Sequence, residues 1–158
     1  MPSYFFDTSV LTKLYHAEAG TDFVERLAGQ RGSVVVVSRL SLVEIESVLA
    51  IKMRMGELDA AGQELCRRRL RADISQGRIH VGPPMADRYY QSARRLLVRY
   101  GVAMALRTLD ALQLAVALEL MEAGQVSVFV AADKKLCRVA EACGCATINS
   151  AEPGKFVL

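Results

Sequence analysis

Two short runs constrain the fold of this chain more tightly than any other feature. SVVVV (Ser33–Val37) and VSVFVAA (126–132) are apolar without the in-out alternation of a half-wetted strand, and both are rich in β-branched residues. A strand of this kind is buried on both faces, which calls for a parallel sheet covered by helices above and below. The segments between such runs supply the helices. TSVLTKLYHA carries Val10, Leu11 and Leu14 at helical spacing, and GTDFVERLAG is a short amphipathic stretch closed by Gly29. SLVEIESVLAIKMRMG sets Leu42, Ile45, Val48, Leu49 and Met53 on one stripe, and Gly56 separates it from a second helix at about 58–75. Together these two predict a helical hairpin at about 41–76. PPMADRYYQSARRLLVRYG is bracketed by proline and glycine, Thr108 can cap a very apolar helix over 109–123, and KKLCRVAEACG is a short helix with Gly144 just past its end. SYFF, RIHV and CATI complete the strands, with RIHV read as an edge. Strands alternating with helices predict right-handed crossovers and a three-layer α/β/α sandwich on a four- or five-stranded, mainly parallel sheet.

A chain of 158 residues holds one core, so residues 1–158 are expected to form a single domain. No segment approaches the roughly 18 uninterrupted apolar residues of a membrane span. The most apolar one, DALQLAVALELMEAG, carries Asp110, Gln113, Glu119 and Glu122. The N-terminus lacks a basic stretch leading into an apolar one, which predicts a cytoplasmic, non-membrane protein. Cys66, Cys137, Cys143 and Cys145 form no CxxC pair, and His16 and His80 lie far from them, so reduced thiols are expected instead of a zinc site. The tail AEPGKFVL carries no signal that separates a frayed end from a contact strand.

Four acids carry the functional argument. In an open parallel sheet, ligands bind beyond the carboxyl ends of the strands. Asp7 directly follows SYFF and Asp133 directly follows VSVFVAA, while Glu44 and Asp110 fall in the first turns of helices that open on the same rim. Each has an ordinary use: Asp7 and Asp133 as helix caps, Ser41-Leu-Val-Glu44 as a capping box, and Asp110 against a helix dipole. Capping does not, however, require all four to gather around one crevice. Carboxylates held that close repel unless protons or cations compensate, and hard divalent ions with oxygen ligands do so at neutral pH. One or two Mg²⁺ or Mn²⁺ ions are expected, and two such ions can promote in-line hydrolysis of a phosphodiester. The single acid in Asp7-Thr8-Ser9 argues against the paired acids of phosphatases and receiver domains built on similar sheets.

The order FFDTSVL, SLVEIES, LRTLDALQLAVAL and VFVAADKKL resembles the PIN-domain ribonucleases, above all the VapC-type toxins of toxin-antitoxin pairs, along nearly the whole chain. The resemblance implies a five-stranded parallel sheet and a Mg²⁺- or Mn²⁺-dependent endoribonuclease. It also implies catalytic and metal-binding roles for Asp7, Glu44, Asp110 and Asp133, with Ser9, and secondarily Thr8, supporting the first acid. RNA is the implied substrate, and a homodimer and a cognate antitoxin are the implied partners. One departure precedes the last acid, where Ala131 stands at a position that commonly carries Thr or Ser. A catalytically idle protein-binding module is the alternative reading.

Net charge is only +3, but removing four metal-bound acids leaves 20 cations against 13 anions, and 15 of the 20 are arginine. Arg67, Arg68 and Arg71 on one helix, interleaved with Leu65, Leu70 and Ile74 as inward positions, are candidates for RNA or partner contact. Arg95, beside Arg94 and Arg99 and near Tyr89, Tyr90 and Tyr100, is another, as is Lys134. Glu46, two residues past Glu44 on a helix, is expected to point away from the acids.

Overall fold

The structure is a computed structural model that describes residues 1–155; residues 156–158, the end of the tail, lie outside it. Five parallel strands form one sheet: β1 (Ser3–Phe6), β2 (Val34–Val37), β3 (Ile79–Val81), β4 (Val128–Ala131) and β5 (Thr147–Asn149), in the order β3-β2-β1-β4-β5. β1 and β4, at the centre, carry aromatic and β-branched side chains that are buried on both faces. Tyr4, Phe6, Val35, Val37 and Val130 point into one core, beneath α1 (Thr8–Lys13), α2 (Thr21–Ala28), α3 (Arg39–Arg54) and α4 (Ala60–Ser75). Phe5, Val36, Phe129 and Ala131 point into the other, beneath α5 (Asp87–Met104), α6 (Thr108–Glu122) and α7 (Lys134–Ala142). The pleat alone assigns neighbouring residues to opposite layers, which gives the expected α/β/α sandwich. Among the described residues no helix is long and apolar enough to cross a membrane, and all four cysteines are free.

Several local expectations are corrected. α3 begins at Arg39, capped by Ser38, whose hydroxyl accepts from the Ser41 N–H at 3.2 Å. Ser41 is therefore not the cap; its own hydroxyl turns inward to the polar cluster described below, and Glu44 lies in the second turn. α6 has Arg107, not Thr108, at its cap position, with no side-chain cap. α5 starts only at Asp87, beyond the two prolines, and runs through Gly101. Gly101 is a helical residue of α5 and does not end it. The helix ends instead at Ala105, a non-glycine residue in the left-handed region at φ 55°. Leu65 is 48% exposed, the inward positions of α4 being Cys66 and Leu70. Tyr89 and Tyr100 are buried against α6 and are not available to a nucleic acid, leaving Tyr90 as the exposed tyrosine of α5.

Candidate active site at the carboxyl edge of the sheet

β1 delivers Asp7 to the carboxyl edge. Its N–H donates to the Val130 carbonyl at 3.0 Å, which fastens the residue to the neighbouring strand. Its Oδ2 caps α1, accepting from the Ser9 N–H at 3.3 Å and the Ser9 hydroxyl at 2.7 Å. The Ser9 oxygen in turn accepts from the Ala132 N–H at 3.3 Å. Ala131 has no side-chain hydroxyl, so the surroundings of Asp7 at this end of the sheet are backbone groups: the Val130 carbonyl of β4 and, just past the strand, the Ala132 N–H.

Glu44 is held from below by a polar cluster sunk between the layers. Gln113, on α6 and only 1% exposed, donates through Nε2 to Glu44 Oε1 at 2.6 Å, and the same nitrogen lies 3.0 Å from both Thr8 Oγ1 and Ser41 Oγ. Thr8 also lies within hydrogen-bond distance of Glu44 Oε1, at 3.2 Å, and Ser38 donates to Gln113 Oε1 at 2.7 Å. Two elements from distant parts of the sequence, α1 and α6, thus hold one carboxylate on α3. Thr8 is tied to Glu44 while Ser9 serves Asp7, so the two hydroxyls that follow the first acid have separate tasks. Gln113 and Ser38 were not singled out from sequence. A lone amide three residues beyond Asp110 in an otherwise apolar helix is the signal that would have marked Gln113.

Asp110 and Asp133 face each other across a cleft of about 430 Å³ that also takes in Ala105, Arg107, Lys134 and Lys135. Asp133 caps α7 with Oδ1, accepting from Lys135 N at 2.7 Å and Leu136 N at 3.1 Å. Its other oxygen stands 3.7 Å from Arg107 Nη2, while Arg107 Nε donates to Asp110 Oδ2 at 3.0 Å. One guanidinium therefore spans two of the four acids. Arg107 too escaped the sequence reading.

A PIN-domain family model matches residues 4–142. The chain belongs to the PIN-domain family. Solved structures similar to this PIN domain include VapC20 of Mycobacterium tuberculosis, a sarcin-ricin loop cleaving toxin, at 23% identity and TM-score 0.64, with 90% of this chain and 96% of that one covered. FitAcB from Neisseria gonorrhoeae matches at 15% identity and TM-score 0.60, covering 93% and 97%. VapBC2 from Rickettsia felis, bound to a DNA fragment from its promoter, matches at 16% identity and TM-score 0.58, covering 92% and 96%. At these identities the likeness is one of fold. A search of curated proteins by sequence found no match.

Electrostatics couple the acids of this PIN domain. Burial, with the Asp110 and Glu44 carboxylates adding to it, pushes Asp7 up to about 6 even though the Ser9 hydrogen bonds pull the other way. A carboxyl raised in this way favours folding while protonated and loses that contribution as pH climbs from about 4, its unfolded value, through about 6. The span is about 2–3 kcal/mol. In EDTA, Asp7→Asn is therefore expected to be more stable than wild type at pH 7 and to lose most of that advantage by pH 4.5. Thermal denaturation across this range measures it; a gap independent of pH would contradict the assignment.

Among the described residues no three His, Cys, Asp or Glu side chains stand close enough to enclose an ion by themselves. The donor set suits an ion that does not need such a cage. Mg²⁺ keeps several waters and binds through one or two carboxylates plus substrate phosphate. The Asp110 and Asp133 oxygens that face Arg107 already hold a cation between them.

Of the remaining sequence candidates, Arg67 and Arg71 lie elsewhere. Arg67 is committed to Glu46, with contacts of 2.7–3.1 Å, and Arg71 to Glu64 at 2.9 Å. Both flank the groove between α3 and α4, away from the acids. Glu46 points to Arg67, not to the acids. Arg68 and Arg95 are exposed. Lys134 sits at the acidic cleft, 3.5 Å from Glu152.

Proposed function

We propose that this PIN domain is a metal-dependent endoribonuclease and the toxin of a toxin-antitoxin pair, acting as a homodimer and restrained by a cognate antitoxin. The family is one of nucleases, and the toxin reading is supported by the fold shared with VapC20, VapBC2 and FitAcB. The observation that carries the chemistry is the gathering of carboxylates on one edge: Asp7 feels Asp110 and Glu44, and Arg107 spans Asp110 and Asp133.

Asp7, Asp110, Asp133 and Glu44 would hold one or two Mg²⁺ or Mn²⁺ ions, which when bound supply positive charge at the scissile phosphate and make a nearby water easier to deprotonate. The chain's own residues prepare for this. Ser9 fixes the rotamer of Asp7, so its oxygens are presented without further ordering. Gln113 and Thr8 hold Glu44 at one oxygen, and among the described residues the other has no hydrogen-bond partner. The α7 N–H groups occupy one oxygen of Asp133 and leave the second for a cation. Because Asp7 is raised to about 6, loading an ion at lower pH displaces a proton, and activity is expected to fall as the medium acidifies through that value.

The test is cleavage of a labelled, structured RNA by the purified chain. The expected result is internal cleavage with Mn²⁺ that EDTA abolishes and fresh Mn²⁺ restores. Cleavage that persists in EDTA would remove the metal, and no cleavage of any RNA in a panel that includes ribosomal and transfer RNA would leave the idle binding module as the better account.

A further inference from the structure

The side chain of Arg107 is 73% exposed, and its polar contacts are the two acids it spans. Asp110, with Asp133 and Asp7 behind it, favours its charged state. Among the described residues no other group pairs with this guanidinium, yet the backbone that carries it is fixed. Ala105 is held in the left-handed region, and the next residue, Leu106, is 7% exposed in the core beneath α5 and α6. The stem of Arg107 therefore starts from a rigid point at the mouth of the acidic cleft while its head rests in solvent. Any divalent ion drawn to the facing oxygens of Asp110 and Asp133 must take the place of the guanidinium. Once displaced, the head remains tethered a few Å away, with five N–H donors in a planar fork matched to a phosphate.

We infer that Arg107 is an exchangeable counter-ion: it neutralises Asp110 and Asp133 in the metal-free protein and turns to the RNA phosphate when a divalent ion takes its place. This rests on the metal-dependent reading above and adds a residue to it. Lys134 and Lys135 share the cleft, but neither spans the two acids.

Two measurements on the full chain test it. Calorimetry with Mn²⁺ alone, at pH 7, is expected to show Arg107→Ala binding the ion about two- to fivefold more tightly than wild type, since a competing exposed ion pair is gone. RNA affinity is read by anisotropy of a fluorescein-labelled hairpin in saturating Mn²⁺, in the Asp7→Asn background so that the RNA stays intact. There Arg107→Ala is expected to weaken binding and to lower the slope of log affinity against log salt by about one. Arg107→Lys keeps the charge and is expected to keep the slope, which separates a lost phosphate contact from a folding defect. An unchanged Mn²⁺ affinity or an unchanged salt slope in Arg107→Ala overturns the inference while leaving a cleaving wild type intact. A wild type that neither takes up Mn²⁺ nor cleaves RNA overturns the proposed function with it.

Discussion

Replacing Asp7 by Asn is expected to lower kcat/KM for Mn²⁺-dependent RNA cleavage by about 10³-fold or more, while the metal-free protein becomes more resistant to heat at neutral pH. The two halves of this result have one cause. Asp7 is 6% exposed, beside two other carboxylates, and keeping it ionised there costs free energy that only a cation returns. Asparagine retains an oxygen for the Ser9 donors, removes the charge, and so relieves the apo fold while discarding a proposed metal ligand. A residue whose role was merely to cap α1 would behave in the opposite sense, with stability falling and activity following it down only as far as folding requires. Asp110→Asn should show a comparable loss of activity. Its apo stability should change little, because its side chain is only 17% exposed yet already neutralised by Arg107. Single-turnover cleavage, with thermal denaturation of the same preparations in EDTA, measures both quantities. Activity within tenfold of wild type in either variant would remove that acid from the catalytic set.

What could be read from the sequence, and what could not, divides along the range of the interactions involved. The sheet was legible because its strands announce themselves locally: SVVVV and VFVA are buried on both faces, and a run that is apolar at every position leaves few alternatives. Asp7 and Asp133 were legible for a related reason, each being the first polar residue after such a strand. Helix ends were less so. Ser41-x-x-Glu44 has the pattern of a capping box, yet Ser38 caps α3, because Ser41 finds buried partners on α1 and α6 that no local window contains. Gln113 bonds to residues 69 to 105 positions away. Arg107 reads as an ordinary surface arginine until the fold brings Asp133 opposite Asp110. The tyrosines of α5 fail in the other direction: Tyr89 and Tyr100 look like an RNA-facing stripe beside the arginines, but α6 needs their area for its core, and the helix turns them inward.

Gln113→Leu is expected to destabilise the protein by about 3–5 kcal/mol, a large share of the stability of a domain of this size. Leucine matches the amide in volume, so packing around α6 changes little and the loss is polar in origin. Ser38 loses the acceptor of its hydroxyl at 2.7 Å. Glu44 loses a 2.6 Å donor, and Thr8 and Ser41, both essentially buried, lose the nitrogen that joins them. Leaving one partner of a buried polar set in place is costlier than removing the whole set. The double change Gln113→Leu, Ser41→Ala, which keeps Ser38 as the cap of α3, should therefore recover part of the stability that the single change forfeits. Activity should not recover with it, since Glu44 would still lack its anchor and its carboxylate would sample several rotamers instead of one. Gln113→Glu sharpens the point: it keeps the size and one oxygen but sets a second acid against Glu44, and should be destabilised most at neutral pH, regaining stability as the medium is acidified. Chemical denaturation of the four proteins at pH 5 and pH 7, beside their cleavage rates in Mn²⁺, reads out all of this. A single Gln113→Leu variant as stable as wild type would mean that the buried amide does not hold the cluster together, and the account of how Glu44 is positioned would have to be replaced.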